Sequence, residues 1–297
     1  MRTTTLGPVA AKSPAPWRPV GAVRGFTAGV GRLSTAGLVI LAAVLLAALL
    51  APVLAPSDPA AITMANQFQA PGHGSLLGAD FFGRDILVRL LWGGRTTLAV
   101  GFLVILLASA IGVPLGLAAG QAGHALDEVS MRLADGMLAF PSLVLAIAIA
   151  SVLGPSLAHA MLAVAIAYIP QFMRVARGQA KAVVVRPYVD AARAAGATEL
   201  RVLVHHVAPN SLAPLLVQTS LNLSGAILAT ASLGFLGLGV QPPTPEWGAD
   251  VAANTAYIRD APWPALWPGL AIVVSAVAIN LVADGLVDFL NPSLRHR

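Results

Sequence analysis

Residues 35–54 read TAGLVILAAVLLAALLAPVL, an apolar run of 20 residues that contains no charged side chain. Because an α-helix rises about 1.5 Å per residue, this run is long enough to cross the ~30 Å hydrocarbon core of a bilayer. A secretory signal peptide is the competing interpretation, but the apolar part of such a peptide usually has only ~7–15 residues. The run therefore predicts an uncleaved first transmembrane helix at residues 35–55.

The composition of the whole chain is typical of a membrane protein. Of 297 residues, 57% are hydrophobic and 10% are charged, and the mean hydropathy is +0.78. A soluble domain carries ~25% charged residues, so this chain lacks the polar coat that a water-facing surface needs. The net charge of +5 could indicate nucleic acid, but the basic residues lie between apolar blocks and not on one face. The absence of cysteine excludes disulfides, thiolate metal sites and cysteine nucleophiles.

Five further apolar runs follow, and with the first they predict an all-α polytopic membrane protein with six transmembrane helices. The runs lie at about 97–120, 133–153, 157–173, 212–240 and 267–289. Small residues recur inside them, as at Gly112 and Gly116, and indicate close approach of helix backbones. The other predicted divisions are a flexible tail at 1–34, a charged outside segment at 56–96, a core domain of five helices at 97–290 and a tail at 291–297.

The distribution of basic residues predicts which side of the membrane each segment faces. If the N-terminus lies inside, the inside segments are 1–34, 121–132, 174–211 and 290–297, and they hold 14 of the 18 lysines and arginines. The outside segments hold Arg84, Arg89, Arg95 and Arg259. Because cytoplasmic loops carry an excess of Lys and Arg, both termini are predicted to be cytoplasmic.

The inside segment between the fourth and fifth runs is predicted to contain two short helices, at 184–211. Pro187 suits a first helical turn, and small or aromatic residues then recur at helical spacing. These residues are Tyr188, Ala191, Ala192 and Ala195. Gly196 stands where this helix should stop, because glycine adopts left-handed backbone geometry at little cost.

Thr198 is a suitable N-cap for the second helix, and Pro209 is expected to end it. Four apolar residues of that helix are predicted to share one face. They are Leu200, Leu203, Val204 and Val207. The first helix would present a narrow ridge of alanines beside Asp190 and Arg193. Such a ridge is suited to insertion into a groove of another protein, but a hairpin packed on its own bundle fits the pattern equally well.

The stretch DAARAAG at residues 190–196, followed by Ala208 and Pro209, resembles the EAA signature of permease subunits of bacterial binding-protein-dependent ABC importers. The family pattern is Glu-Ala-Ala, three residues and Gly, and later a hydrophobic position, a spacer, Leu and Pro. This chain differs by Asp190 for Glu, by His206 at the hydrophobic position and by Ala208 for Leu. The first of these changes keeps the negative charge.

Two other stretches resemble the dipeptide/oligopeptide/nickel branch of that family. Residues 77–85 read LGADFFGRD and are similar to the branch pattern Leu-Gly-Thr-Asp-x-x-Gly-Arg-Asp, and residues 232–248 read SLGFLGLGVQPPTPEWG. The resemblance runs from about residue 35 to the C-terminus. It is with the C-type permease of a peptide importer, which pairs with a related B-type permease.

The resemblance implies a type I ABC importer permease fold in the bacterial inner membrane. This chain and a homologous second permease would form the pathway for peptides or related small solutes, which an extracytoplasmic solute-binding protein would deliver. Two cytoplasmic ATPase subunits would bind ATP and Mg²⁺, and this chain would bind no cofactor. The two-helix segment would couple the permease to the ATPases. The coupling residues would be Tyr188, Asp190, Ala191, Ala192, Arg193, Gly196, Ala208 and Pro209.

The outside segments are expected to receive the binding protein. The candidate contacts are Asp80, Gly83, Arg84, Asp85 and Trp247. Two alternatives remain open, because Arg84 and Asp85 could pair to hold the segment together, and the aromatic residues could form an interfacial belt.

Three polar residues inside the apolar runs are candidates for the lining of the pathway, since polar groups in a membrane are often functional. They are Asn222, Ser224 and Asn280. Hydrogen bonds between helices are the alternative role. The sequence leaves the solute open among dipeptides, oligopeptides, nickel chelates and related compounds.

Two rival functions are disfavoured, and the chain is not predicted to be an enzyme. A phosphate-binding loop needs Gly-Lys followed by Ser or Thr, whereas Lys12 and Lys181 both follow alanine. ATP hydrolysis must then belong to another chain. A secondary transporter should show inverted repeats and broken helices, and the sequence has no evident internal symmetry. An intramembrane serine protease using Ser224 would need a histidine inside a run, but the histidines lie in loops, in the tail or, for His159, at the end of a run.

Overall fold

The computed structural model describes residues 31–290, and these residues are helical apart from loops and one isolated bridge between Ala79 and Asp85. The helices are α1 (Arg32–Leu49), α2 (Ala51–Leu54), α3 (Ile86–Gln121), α4 (His124–Leu138), α5 (Ser142–Leu153), α6 (Leu157–Val184), α7 (Pro187–Ala194), α8 (Glu199–Val202), α9 (Ala208–Phe235), α10 (Trp247–Asn254) and α11 (Trp263–Leu290). The predicted all-α fold is confirmed. The tail predicted at 291–297 lies outside the described residues, as does the tail at 1–34 up to residue 30.

Five helices of the described part are long and apolar enough to cross a membrane. They are α1, α3, α6, α11 and the continuous helix Glu199–Phe235. A sixth crossing is reached only if the bent pair Ala125–Leu138 and Ser142–Leu153, which meet at 88°, counts as one span. The run predicted at about 133–153 therefore forms parts of two helices that meet at a sharp bend, and not one continuous helix. Pro141 disfavours helical geometry at Phe140 and cannot donate a backbone hydrogen bond, so the chain turns there.

The long helices also extend beyond the apolar runs that predicted them. α3 begins at Ile86 and not near residue 97, because the Asp85 carboxylate caps it by accepting a hydrogen bond from the Val88 amide (3.1 Å). The segment predicted at 56–96 therefore has two parts. It is mainly non-helical up to Asp85, and from Ile86 onward it is the start of α3. α6 continues to Val184, past the predicted end near residue 173. Apolar runs mark the part of a helix that can face lipid, whereas caps and breakers decide where the helix begins and ends.

Glycines of α3 bring its backbone against the backbone of α6, as the spacing of Gly112 and Gly116 predicts. A Cβ atom added at Gly112 would lie 2.7 Å from the Ile169 carbonyl oxygen, and one added at Gly116 would be closer still to the Met173 carbonyl oxygen. Gly120 repeats the pattern one turn later. Small residues at intervals of four allow this approach, which replaces lipid contact by dense backbone packing.

α3 connects the two ends of the helix bundle. It starts directly after the loop 77–85, and its last residue, Gln121, donates a hydrogen bond to the Glu199 carbonyl oxygen (2.8 Å). The first of these ends is called the loop end below, and the second the hairpin end. The hairpin is defined as residues 187–207, which comprise α7, its turn, α8 and the π-helical turn Leu203–Val207.

A buried ion pair joins α3 to α10 at the loop end. Arg89 binds Asp250, and each side chain is 7% exposed. Arg89 also donates hydrogen bonds to the carbonyl oxygens of Pro59 (3.0 Å) and Pro243 (3.3 Å). Burial raises the pKa of Asp250 to about 6, and the positive charge of Arg89 opposes this rise. One guanidinium thus holds three segments of the loop end together.

We expect Gly116→Val to lower the stability of the folded protein, because the added side chain collides with the backbone of α6. Overpacking of this kind costs about 1–3 kcal/mol. The measurement is the thermal unfolding midpoint of the purified protein in detergent. Gly178→Val is the matched control, since a Cβ atom at Gly178 meets nothing within 4 Å. Equal midpoints for the two variants would contradict the close packing of α3 and α6.

We expect Arg89→Leu to destabilise the protein by an amount that grows as the pH rises from 5 to 8. Removing one partner of a buried ion pair costs about 3–5 kcal/mol while the other stays charged. Without Arg89 the pKa of Asp250 rises further above that of the unfolded chain. The buried carboxyl is neutral and tolerated at low pH. At higher pH the folded protein must either keep the proton on this carboxyl or bury its charge, and both cost stability.

The double variant Arg89→Leu, Asp250→Asn is the control for this effect. It has no carboxyl to ionise, so the pH-dependent part of the loss should disappear. Unfolding midpoints of the three proteins between pH 5 and pH 8 provide the comparison, and a pH-independent difference between Arg89→Leu and the parent protein would contradict it.

Candidate functional site

The first helix of the hairpin ends in the manner that Gly196 predicts. The Ala197 amide donates to the Ala192 carbonyl (3.0 Å), and the Gly196 amide donates to the Arg193 carbonyl (2.9 Å). Gly196 has a φ of +86°, and space around it is open, since a Cβ atom there would meet nothing within 4 Å. These two bonds form a Schellman motif, whose left-handed residue is usually glycine. Backbone conformation and not crowding therefore requires glycine at this turn.

The second helix begins as predicted but does not end at Pro209. Thr198 caps α8 by accepting a hydrogen bond from the Arg201 amide (3.3 Å). Helical structure then runs without interruption from Glu199 to Phe235 through a π turn at Leu203–Val207. Pro209 has no amide hydrogen, and the widened turn before it accommodates its ring. The hairpin is thus joined directly to α9.

Three valines attach the hairpin to the bundle. Val189 of α7, Val202 of α8 and Val207 of the π turn are fully buried, and they form a cluster with apolar residues of the long helices. The other buried members are Leu117, Ala176, Ala180, Val183 and Leu215. Leu200 and Val204, which were predicted to share one face with Leu203 and Val207, are 70% and 53% exposed, whereas Val207 is fully buried. The prediction assumed an undistorted α-helix, and the π turn interrupts its regular spacing.

The opposite side of the hairpin faces outward. Tyr188 is 44% exposed, Asp190 and Ala191 are exposed, and Ala192 is half-buried. This confirms the exposed alanine ridge. Arg193 is not free, because it binds Glu199 (Nε to Oε1, 2.9 Å) and approaches Asp190 (3.4 Å). The Arg193–Glu199 pair closes the hairpin across its turn.

A cleft of about 560 Å³ lies beside the exposed side of the hairpin. Its walls come from the end of α3, the start of α4 and the hairpin itself. Gln121, Leu126, Arg193 and Leu200 are among the residues that line it. The hairpin end therefore offers both a projecting ridge and an adjacent depression.

At the loop end, the predicted contact residues stabilise the loop itself. The Asp80 carboxylate binds the Arg84 guanidinium (2.6 Å) and accepts hydrogen bonds from the amides of Phe82 (2.8 Å) and Arg84 (3.0 Å). Asp80 is 1% exposed and Arg84 is 7% exposed. Of the two alternatives left open, internal bonding holds for this loop, but Arg84 binds Asp80 and not Asp85, which caps α3 and accepts a hydrogen bond from the Ser75 hydroxyl (2.7 Å).

Gly83 is required by the same loop for two reasons. Its φ is +70°, and a Cβ atom would overlap the carbonyl oxygen of Thr63. Substitution of Gly83 must therefore distort the segment that precedes α3.

Trp247, the remaining predicted contact, is buried at 3% exposure. Its indole Nε1 donates to the Leu90 carbonyl (2.9 Å), and its amide donates to the Thr97 hydroxyl (3.2 Å). The adjacent Glu246 accepts hydrogen bonds from the Thr97 hydroxyl (3.0 Å) and from two amides of α10, and burial raises its pKa. The ring of Trp247 is thus unavailable to another protein in this conformation.

Sequence reasoning missed the residues that hold the loop end together. Arg89, Asp250, Glu246 and Thr97 join α3 to α10, although about 150 residues separate the partners along the chain. The available signal was the occurrence of charged residues beside apolar runs, where burial requires a partner. Their pairing could not be read from spacing.

The three predicted pathway residues lie on α9 and α11. The Ser224 hydroxyl donates to the Asn280 carbonyl oxygen Oδ1 (2.6 Å), which is a hydrogen bond between helices. Asn222 accepts a hydrogen bond from Gln218 (3.0 Å). The Asn222 amide nitrogen is buried and has no hydrogen-bond partner within residues 31–290. The alternative role of bonding across helices thus holds for Ser224 and Asn280. Among the same residues, no group of three His, Asp or Glu is placed to hold a metal ion.

Two known families match this chain, each over a different range of residues. Residues 112–296 match the family described as "Binding-protein-dependent transport system inner membrane component". Residues 32–71 match the "N-terminal TM domain of oligopeptide transport permease C". The two matches cover the hairpin, the last helices and the segment around α1.

Individual relatives are similar over nearly the whole chain. A dipeptide transport system permease protein DppC of Alkalihalophilus pseudofirmus is 42% identical over 264 residues, which is 89% of this chain and 87% of the relative. The probable D,D-dipeptide transport system permease protein DdpC of Escherichia coli is 44% identical over 260 residues (88% and 87%). The di/tripeptide transport system permease protein DppC of Pseudomonas aeruginosa is 44% identical over 266 residues (88% of each). The chain therefore belongs to the family of binding-protein-dependent transport system inner membrane components and is one of its C-type permeases, as residues 77–85, 190–196 and 232–248 predict.

Proposed function

We propose that this permease imports peptides, and that its hairpin docks on a cytoplasmic ATPase subunit. The relatives named above are described as permeases for dipeptides, D,D-dipeptides or di- and tripeptides, which supports a short peptide as the solute. A second, homologous permease completes the pathway. Two ATPase subunits bind ATP and Mg²⁺, and this chain itself binds no cofactor. The hairpin end faces the cytoplasm, and both termini lie on that side.

The observation that carries this proposal is the two-sided character of the hairpin. One side is anchored by three fully buried valines, and the other exposes Tyr188, the alanine ridge and Leu200. An element that only stabilised its own bundle would have no reason to leave Leu200 exposed at an open cleft. Exposed apolar groups next to charged ones are typical of a protein interface.

The connections of the hairpin suit it to transmit movement. Its buried valines pack on α6, and α8 continues into α9 without a break. A displacement of the hairpin must therefore move α6 and α9, because tightly packed elements shift as units. Closure of the ATPases around ATP would displace the hairpin and reorient these two helices. Asp190, Tyr188, Leu200 and the alanine ridge are groups available for this contact.

The loop end is the proposed docking surface for an extracytoplasmic binding protein. The shape of this surface depends on bonds and backbone geometry inside the loop, at Asp80, Gly83, Arg84 and Asp85. Contact is then left to exposed side chains of the same segment, among which Leu76 is 75% exposed and Phe82 is 39% exposed.

We expect Gly196→Val to uncouple ATP hydrolysis from peptide uptake while the protein still inserts. Valine is strongly disfavoured at a φ of +86°, so the turn must change and the ridge must move. The measurement is uptake of a radiolabelled dipeptide per ATP hydrolysed, in proteoliposomes that contain the complete importer and its binding protein. Loss of at least tenfold in this ratio is expected, corresponding to roughly 1.4 kcal/mol of coupling.

Gly196→Asn is the matched control, because asparagine tolerates left-handed geometry better than other non-glycine residues. It should retain most of the coupled uptake. Normal coupling in the valine variant would contradict the role of the hairpin. In the parent protein, ATP hydrolysis that responds to the binding protein although no dipeptide is taken up would contradict only the proposed solute.

We expect Ala191→Cys to be labelled only from the cytoplasm and Ser57→Cys only from outside. The chain contains no cysteine, so each variant carries a single thiol, and both positions are exposed. A membrane-impermeant maleimide makes the comparison, applied to intact cells and to inverted vesicles that contain the permease without its ATPases, so that the hairpin is not covered. Labelling of position 191 in intact cells would overturn the proposed orientation.

A further inference from the structure

An apolar groove runs along the outside of the bundle between α1 and α3. It has a volume of about 450 Å³, and its floor is formed by α9 and α11. Residues of its walls and floor include Leu41, Leu45, Phe102, Leu223, Ile227 and Ile279. From Leu41 to Leu49 the wall of α1 extends over about 12 Å.

Among the described residues 31–290, one charged residue lines this groove. Arg95 is exposed, and its guanidinium lies over the Trp92 ring at 5.2 Å from the ring centroid. No hydrogen bond or ion pair within residues 31–290 engages this guanidinium, in contrast to the buried Arg84 and Arg89. Arg95 thus offers an unneutralised cation at the edge of an apolar channel.

The depth of Arg95 matches the boundary between hydrocarbon and headgroups. α3 has 36 residues and so spans about 54 Å, which exceeds a ~30 Å hydrocarbon core by about 12 Å at each end if the helix is centred. Arg95 lies nine residues after the start of α3, or about 14 Å along its axis. Trp92 is one turn nearer the loop end and donates to the Ala55 carbonyl (3.0 Å), at the level where tryptophan is enriched.

We propose that this groove binds a phospholipid of the leaflet at the loop end. One acyl chain occupies the channel from Leu49 to Leu41, and the phosphate binds Arg95. Guanidinium groups bind phosphate oxygens by two parallel hydrogen bonds, and the apolar walls match a hydrocarbon chain.

The size of the groove argues against a helix of another subunit as its occupant. A helix about 10 Å across and 12 Å long would need roughly 940 Å³, about twice the volume present. α1 also meets α3 at the loop end, where the Ala48 side chain is packed beside Gly94. This contact closes the space between the two helices to anything much thicker than a lipid chain.

The test is to purify the complete importer from membranes and to measure the phospholipid retained per complex after extensive detergent exchange. Liposomes containing phosphatidylglycerol with a photoreactive acyl chain then locate the bound lipid by cross-linking and peptide mapping. We expect cross-links in residues 41–49 and 98–102. Arg95→Gln should lower the affinity for the retained lipid about tenfold, corresponding to the loss of one charged hydrogen bond, and Arg95→Lys should lower it less.

Ala99→Trp fills the groove and should abolish the cross-links, whereas Ala110→Trp changes an exposed alanine of the same helix outside the groove and should leave them unchanged. The proposal is overturned if cross-links spread evenly over exposed apolar positions, or if Ala99→Trp and Ala110→Trp behave alike. It is also overturned if the cross-links appear only when the second permease is omitted, because that result would make the groove a subunit interface.

Discussion

The contact between α3 and α6 is the constraint on which the rest of the structure depends. In lipid, helices gain little from hydrophobic burial, so close packing of backbones must supply the attraction. Gly112, Gly116 and Gly120 allow that packing over the last quarter of α3. The same ends of the two helices, up to Gln121 in α3 and Val184 in α6, carry apolar residues on which the hairpin packs. The position of the hairpin is therefore determined by a contact made within the bundle.

The two ends of the bundle are held by different physical means. At the hairpin end, apolar packing anchors α7 and α8, and the ion pair of Arg193 with Glu199 is exposed. Exposed pairs of this kind contribute little stability and can rearrange when a partner binds. At the loop end, the ion pairs of Arg84 and Arg89 are buried and bonded to several segments. These two kinds of attachment suit the proposed roles, in which the loop end receives a binding protein and the hairpin follows an ATPase.

Many residues that attract attention in the sequence act inside this chain. Asp80, Arg84 and Trp247 belong to the recognisable stretches of the C-type permeases, yet all three are buried. Their role in the structure is to shape the loop end, so a contact with a binding protein must pass through neighbouring exposed residues. The hairpin shows the opposite case, because its alanine ridge is exposed as the sequence pattern indicates.

The sequence by itself determined the fold class, the apolar runs, the Gly196 turn, the Thr198 cap and the family, because each depends on local composition or on spacing along one helix. The tertiary structure decided the break at Pro141, the continuation of α8 through Pro209 and the face of the hairpin that is buried. It also decided that Arg84 binds Asp80 and that Arg89 binds Asp250. These features depend on which groups meet across the bundle, and a buried charge specifies only that it needs a partner and not where along the chain that partner lies.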